Sequence, residues 1–336
     1  MAGLCFFKES FQKVIMRLIM LGTGPFAVPT LRALAPSHEV VLVVTRPPRD
    51  REQKASPLQR AAQDLGLEVW SPETVNELQA QRRLAALQPD LLVVCDYGEI
   101  LRPETLATAR LGGVNLHGSL LPKFRGAAPV QRAILAGETE TGNSVIQMTP
   151  GLDAGPCLGQ QRVAIDPDED AGQLEARLAA LGAELVCTVV DQLAAGTARP
   201  IAQDAASASK APRLKKEEGV IDWSRSATEI KNQVRALRPW PRAYTYLHRA
   251  ESSQTPPLRL NIDGVALVDL GEAASAAGML HVTPGTALDA LGRLILLTGK
   301  GQLEILALQP AGKRSMSAAE FLRGHRLQSG DHFGPA

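Results

Sequence analysis

Short, almost wholly apolar runs alternate with longer segments of helical spacing through the first half of the chain. Arg17–Leu21, Val40–Val44 and Leu91–Cys95 have the pattern of strands covered on both faces. Between them apolar residues recur three and four positions apart. The first such segment takes its apolar face from Phe26, Leu31 and Leu34, and helices are also predicted at Leu58–Leu65, Val75–Leu87, Leu101–Ala109 and Val130–Ala136. A short strand is expected at Glu68–Trp70, with later strands at Ser144–Met148 and Gln161–Ile165. A long amphipathic helix, Gly172–Ala194, closes the series. Strand, glycine turn, helix, strand is the repeat of an open parallel sheet. The fold class is therefore α/β, with a Rossmann-like doubly wound N-terminal domain.

The pattern changes after residue 195. Ala195–Ala211 is rich in Ala, Ser and Gly and reads as a linker, followed by the charge cluster Arg213–Glu218. Ile221-Asp222-Trp223 then leads into a helix that ends before Pro239-Trp240-Pro241. Beyond it, β-like runs at Tyr244–Leu247, Leu258–Leu260, Val265–Asp269, Leu294–Leu297 and Leu303–Leu308 are separated by glycine or proline turns. Five short strands predict a small OB-like β-barrel as the C-terminal domain. The expected division is an extension at 1–15, a front domain at 16–195, a linker at 196–218 and a C-terminal domain at 219–325. No repeat of 20–50 residues is visible.

Length and composition agree with this: 336 residues suit two domains, and 45% hydrophobic with 21% charged residues is ordinary for a globular enzyme. No apolar run approaches the 18 residues or so of a membrane span, and the charged residues Lys8, Glu9 and Lys13 spoil the first 15 residues as a signal peptide. The four cysteines form no C-x-x-C pair, so they read as reduced core thiols of a cytoplasmic protein rather than metal ligands. A net charge of +1 hides an asymmetry. Residues 1–204 hold 19 Lys/Arg against 23 Asp/Glu, whereas residues 205–336 hold 17 against 12. The basic back half points to a polyanionic partner.

The chemistry concentrates in Val114–Gly126, V-N-L-H-G-S-L-L-P-K-F-R-G. It reads as a buried strand breaking into a loop. Asn115 and His117 alternate with Val114 and Leu116, so both polar groups point to one face. A carboxamide and an imidazole side by side suit a reactive carbonyl, one to hold an oxyanion and one to hold or move a proton. A second loop, Met148–Cys157, supplies Asp153 between two glycine turns. The three side chains are expected to meet and perform acyl transfer. The other histidines read as ordinary structure, and Trp223 and Trp240 as core and anchor residues rather than base-stacking platforms. Gly22–Ala27, G-T-G-P-F-A, also matches a dinucleotide fingerprint, although the acidic residue expected after the second strand is replaced by Thr45-Arg46. A tight turn is the preferred reading there, with an NADP oxidoreductase using Arg46 as the rival. The charged loop Arg46–Pro57 places Arg46, Arg49, Arg51 and Lys54 where phosphates could be met.

N-L-H-G-S-L-L-P-K-F-R-G-A-A-P-V-Q-R-A-I, then Glu138–Gly142, then G-L-D-A-G together resemble the formyltransferase family that uses 10-formyltetrahydrofolate. R-L-K-K-E-E-G-V-I-D-W-S, R-P-W-P and L-Q-P-A-G-K-R-S-M-S-A-A-E-F-L-R-G are similar to the C-terminal domain of that family's tRNA-acting members. The resemblance covers about residues 16–323. It implies catalysis by Asn115, His117 and Asp153, and a folate-binding segment at Ser119, Leu120, Leu121 and Pro122, joined by Tyr97 and Gly98. It implies tRNA contacts from Lys216 and the Arg46, Arg49, Arg51 and Lys54 loop. The formyl donor would be 10-formyltetrahydrofolate and the acceptor the methionine of initiator Met-tRNA, with no metal, in a cytoplasmic monomer. The chain departs from the family in two places: the Arg46–Lys54 loop is short and lacks a glycine-rich basic pattern, and Asp96 replaces a small or apolar residue. Rival readings are an amino-sugar N-formyltransferase, a formyltetrahydrofolate hydrolase or dehydrogenase front domain, and an RNA-binding protein with a relic fold.

Overall fold

Burial of β1 (Arg17–Gly22) is complete from Leu18 onward, because parallel neighbours lie on both sides of it. In the computed structural model, which describes residues 14–48, 55–250, 256–268, 283–290 and 292–336, β1 pairs with β2 (Glu39–Val44) on one side. β2 in turn pairs with β3 (Val69–Trp70), and β1 pairs on its other side with β4 (Leu91–Cys95). β5 (Gly113–His117) continues the parallel set beside β4. The expected extension up to residue 13, the loop cations Arg49, Arg51 and Lys54, and Asp269 lie outside the described residues. The ribbon strand β6 (Arg125–Gly126) comes next in the chain, followed by β7 (Glu140–Gln147) and β8 (Cys157–Ala164). The sheet order is β3-β2-β1-β4-β5-β7-β8. Its sense reverses between β1 and β4, and in such sheets ligands bind beyond the strand C-terminal ends at that point.

The structure departs from the sequence reading at several elements. β7 runs antiparallel to β5, so the sheet is mixed. β7 also begins four residues earlier than expected, because its first half is polar yet buried: Thr141, Asn143 and Ser144 are at most 2% exposed. Hydrophobic patterning cannot see a strand whose buried positions are hydroxyls and an amide. The helices α1 (Val28–Leu34), α2 (Pro57–Asp64) and α3 (Leu78–Ala86) lie close to the predicted segments, and Leu31 and Leu34 of α1 are buried as expected. α4 (Pro103–Leu106) is a single turn rather than the nine-residue helix expected.

α5 (Pro129–Leu135) and α6 (Ala171–Ala194) complete the front of the chain. α6 lies close behind β5. A Cβ at Gly182 would sit 2.8 Å from Leu116 Cδ2, so the glycine lets the helix seat directly on the strand. Leu116 therefore faces α6, and its neighbours Asn115 and His117 face the other way.

By its contacts the chain forms two compact units that interleave in sequence. One comprises the residues up to Arg125 with Gly142–Arg162 and Ala176–Ala208; the other comprises Gly126–Thr141, Val163–Glu175 and Ser209 onward. In the second unit β9 (Lys210–Ala211) forms the ribbon with β6, at a close approach where a Cβ on Gly126 would lie 2.5 Å from Ala211 O. Residues 212–218, expected as part of a linker, are held by α5. Arg132 donates to Pro212 O at 3.0 Å and to both Glu218 carboxylate oxygens at 2.5 and 2.9 Å.

The rest of the second unit is a curled antiparallel sheet. α7 (Ala227–Ala236) starts with Ser226 and Glu229 capping one another's backbone amides. After it come β10 (Ala243–His248), β11 (Leu258–Val268), β12 (Ala287–Ala290), β13 (Arg293–Leu297), β14 (Gln302–Pro310), β15 (Met316–Ser317), α8 (Ala318–Gly324) and β16 (His332–Gly334). The two strands expected at 258–260 and 265–269 are one strand. Its register slips around Gly264, and the slip interrupts the alternation by which a strand is recognised in sequence. The sheet also closes: Thr286 bridges to His332, and Phe333 N donates to Gly285 O at 2.9 Å. Gly285 has φ +89°, and a Cβ there would lie 2.1 Å from Phe333 O, so only glycine fits the seam. Trp223, Ile230, Leu260, Ile305, Phe321 and Phe333 are among the residues that fill the interior. Each such side chain contributes about 1.5–3 kcal/mol on burial.

Candidate active site

At the C-terminal end of β5 the chain places His117 with 6% exposure and Asn115 half-buried beside it on the same face. The imidazole is held from both sides. Its Nε2 lies 2.8 Å from the Phe124 carbonyl oxygen. A carbonyl can only accept, so Nε2 carries the hydrogen and donates it. The other nitrogen, Nδ1, lies 3.7 Å from Asp153 Oδ2, a carboxylate only 13% exposed. That separation is an ion-pair distance beyond hydrogen-bond range, so Nδ1 remains open to a reacting group.

Asn115 makes no side-chain hydrogen bond among the described residues, leaving its two N–H donors for a ligand. Asp153 stands in the left-handed region, φ +48°, in the loop between β7 and β8. The structure therefore brings His117 and Asp153 together from separate segments and sets Asn115 two residues along the same strand face.

The run after His117 is held by residues the sequence reading does not single out. Ser144 Oγ donates to Ser119 O at 2.7 Å and accepts from Leu121 N at 3.0 Å and Gln160 Nε2 at 2.9 Å. Gln160 also donates to Leu121 O at 2.7 Å. Ser119 is fully buried and spends its hydroxyl on Lys123 O, and Leu121 packs against Ile146 and Cys157. Both are framework for this loop. Leu120 and Pro122 remain partly open to solvent. Tyr97 is a core residue at 3% exposure, and burial pushes its phenol pKa well up, with Glu99 adding to the rise and Arg46 opposing it. Gly98, with φ +82°, has open space where a side chain would be.

The glycine turn after β1 is crowded by Asp96. A Cβ at Gly24 would lie 1.9 Å from Asp96 Oδ2. Surrounding protein pushes the Asp96 carboxyl pKa up, and a hydrogen bond from the Gly24 backbone holds it partly down. A carboxylate sits where a dinucleotide would need its pyrophosphate, which removes the physical basis of the NADP reading. Arg46 is also engaged, donating to Glu99 Oε2 at 2.7 Å and to Glu73 O at 2.9 Å. Lys216 is exposed. Trp223 is buried as expected, whereas Trp240 is 51% exposed and is no core anchor. Cys95 and Cys157 are buried free thiols, and no cluster of His, Cys, Asp or Glu able to hold a metal occurs among the described residues. No helix among them is long and apolar enough to cross a membrane.

The front sheet is mixed, with Asn115, His117 and Asp153 near the end of one strand, and the C-terminal part of the chain is a closed antiparallel sheet. The chain belongs to the formyl transferase family: the family's model matches residues 16–190 and the model of its C-terminal domain matches residues 213–326. Among its relatives are proteins named methionyl-tRNA formyltransferase. The one from Rhodopirellula baltica is 42% identical over 94% of this chain and 96% of its own length. The one from Methylococcus capsulatus is 40% identical over 93% and 98%. In fold the chain is similar to an N-formyltransferase from Helicobacter canadensis crystallised with folinic acid and dTDP-3-aminofucose. That match has TM-score 0.63 at 18% identity and covers 87% of this chain and 98% of the other.

Proposed function

We propose that the protein transfers the formyl group of 10-formyltetrahydrofolate to the α-amino group of methionine on initiator Met-tRNA, producing formyl-Met-tRNA for translation initiation. The observation that carries the site's role is the imidazole fixed by Phe124 O on one nitrogen and facing Asp153 at 3.7 Å on the other. The donor fits the residues present. Gly98 leaves open space, Leu120 and Pro122 offer partly exposed apolar surface, and the Asn115 carboxamide lacks a protein partner among the described residues. When bound, the folate supplies an activated one-carbon unit on nitrogen.

An α-amino group has a pKa of roughly 7.7–8.0, so near neutral pH much of it is protonated and must lose a proton to attack. His117 Nδ1 is the working nitrogen, because Nε2 is committed to Phe124. In the neutral ring Nδ1 accepts the amine proton, directly or through water. Asp153 then stabilises the imidazolium, and Nδ1–H can donate to the developing oxyanion or to the departing nitrogen. Asn115 directs its N–H groups at the oxyanion; loss of one such donor typically costs about 2.7–4 kcal/mol of barrier. Lys216, in the second unit, binds the nucleic acid through phosphates, and Arg49, Arg51 and Lys54 of the charged segment after Thr45 are further phosphate contacts. Arg46 serves that loop by anchoring its start on Glu99. The protein works as a cytoplasmic monomer in this reading.

An amino-sugar acceptor would use the same front chemistry, but the likeness to such enzymes is one of fold at 18% identity. The match at 42% identity runs through both halves of the chain. The test is incubation with 10-formyltetrahydrofolate and, separately, initiator Met-tRNA, elongator Met-tRNA and a nucleotide-linked amino sugar. Formyl-Met from the initiator alone is expected, and formylation of the sugar alone would overturn the reading.

A further inference from the structure

We propose that Gln203 is a positioning residue that sets the geometry of the His117–Asp153 pair from both ends. The role rests on the catalytic part proposed for those two residues. Gln203 comes from a segment that composition marks as linker, yet the chain is tied down just before it. Ile201 and Cys157 exchange two backbone hydrogen bonds, both 2.8 Å. The Gln203 carboxamide then uses its whole capacity. Nε2 donates to Asp153 O at 2.8 Å and to Gly155 O at 2.7 Å, and Oε1 accepts from Arg125 Nε at 3.1 Å and Nη2 at 2.7 Å.

Each end of this tie reaches one member of the pair. Asp153 has φ +48°, a left-handed conformation that Asp tolerates better than most residues and that leaves the loop's path to be fixed by its bonds. The two bonds from Nε2 hold that path at Asp153 itself and two residues on. Arg125 directly follows Phe124, which has φ +61° and whose carbonyl holds His117 Nε2. One amide therefore joins the segment that anchors the imidazole to the loop that presents the carboxylate. With Gln203 removed, the two loops are free to shift relative to one another, and the 3.7 Å separation is no longer set.

The test compares Gln203→Leu, which keeps the volume and removes all four bonds, with Gln203→Glu. The glutamate keeps acceptors for Arg125 and sets one against the two loop carbonyls. With both substrates saturating, kcat should fall by about 10²-fold in each variant, the scale of a reacting group misplaced by an ångström, while KM for donor and tRNA stays unchanged. The second readout is the 15N resonances of the His117 ring, assigned by difference from His117→Ala. They should move in both variants, whereas a merely structural residue would leave them in place. Retained kcat, a loss confined to KM, or a fall in kcat with unmoved ring resonances would each overturn the role. Should the Gln203 variants fail to fold, Arg125→Gln cuts only the Oε1 side and carries the same two readouts. A fully active His117→Ala would remove the reading of the site itself. An inactive His117→Ala beside a fully active Gln203→Leu would remove only the role of Gln203.

Discussion

Asn115 and Asp153 are unequally legible, and the reason is conformational. Asn115 and His117 share a regular strand, where period two fixes which side chains share a face from the order of residues alone. Asp153 sits in an irregular loop at φ +48°, so its direction depends on bonds made from Gln203, fifty residues later. No local signal marks Gln203, Ser144 or Gln160, which act through backbone carbonyls and amides contributed by distant residues. Tyr97 and Ser119, expected at the ligand, are found in the framework, because a motif's residues are shared between lining a site and building it. The free carboxamide of Asn115 gives a direct prediction. Asn115→Ala breaks no described hydrogen bond, so its melting temperature should match the parent's. Its kcat/KM for formylation should fall by about 10²–10³. Equal activity measured beside a matching melt would show that the carboxamide serves nothing in catalysis.

Among the elements, the strands and helices with clean apolar periods are legible in sequence to within a few residues, and those that escape it do so for physical causes. β7 hides behind buried hydroxyls, and β11 is split by its register slip at Gly264. β16 is three residues long and pairs across the barrel seam with residues far away in sequence. The segment before α7 shows how composition misleads, since its Ala- and Ser-rich part is tied down by hydrogen bonds at Ile201 and Gln203 and the charge cluster after it by an ion pair. Arg132 lies across Glu218, and its hydrogen bonds hold the Glu218 carboxyl below the ordinary glutamate value of 4.5, with Lys215 and its amide adding to the effect and burial opposing it. A depressed folded-state pKa contributes stability that is present above about pH 4.5 and is lost as pH falls through the folded value. Glu218→Gln should therefore destabilise the chain at pH 7, by about 1–2 kcal/mol for a partly buried charged hydrogen bond. The difference from the parent should shrink when urea unfolding is repeated at pH 3. A difference that grows on acidification would contradict the sign.

For the molecule as a whole, the charge asymmetry that is silent about fold becomes informative about partner. Residues 205–336 carry a net +5, while residues 1–204 carry −4. That division suits an enzyme that must attract a polyanion with one part and handle a small donor with another. Exposed Lys216 stands in the basic part with its ammonium unobstructed. A phosphate contact made there releases counterions but reads no base, so its loss should weaken initiator and elongator tRNA alike. Binding measured for Lys216→Ala between about 50 and 200 mM salt should give a plot of log K against log salt that is shallower by about one unit. Discrimination between the two tRNAs should persist in the variant, because a contact to the backbone positions the nucleic acid without reading its sequence. An unchanged slope would remove Lys216 from the phosphate contacts. A loss confined to the initiator would make it a reader of the tRNA rather than a grip on its backbone.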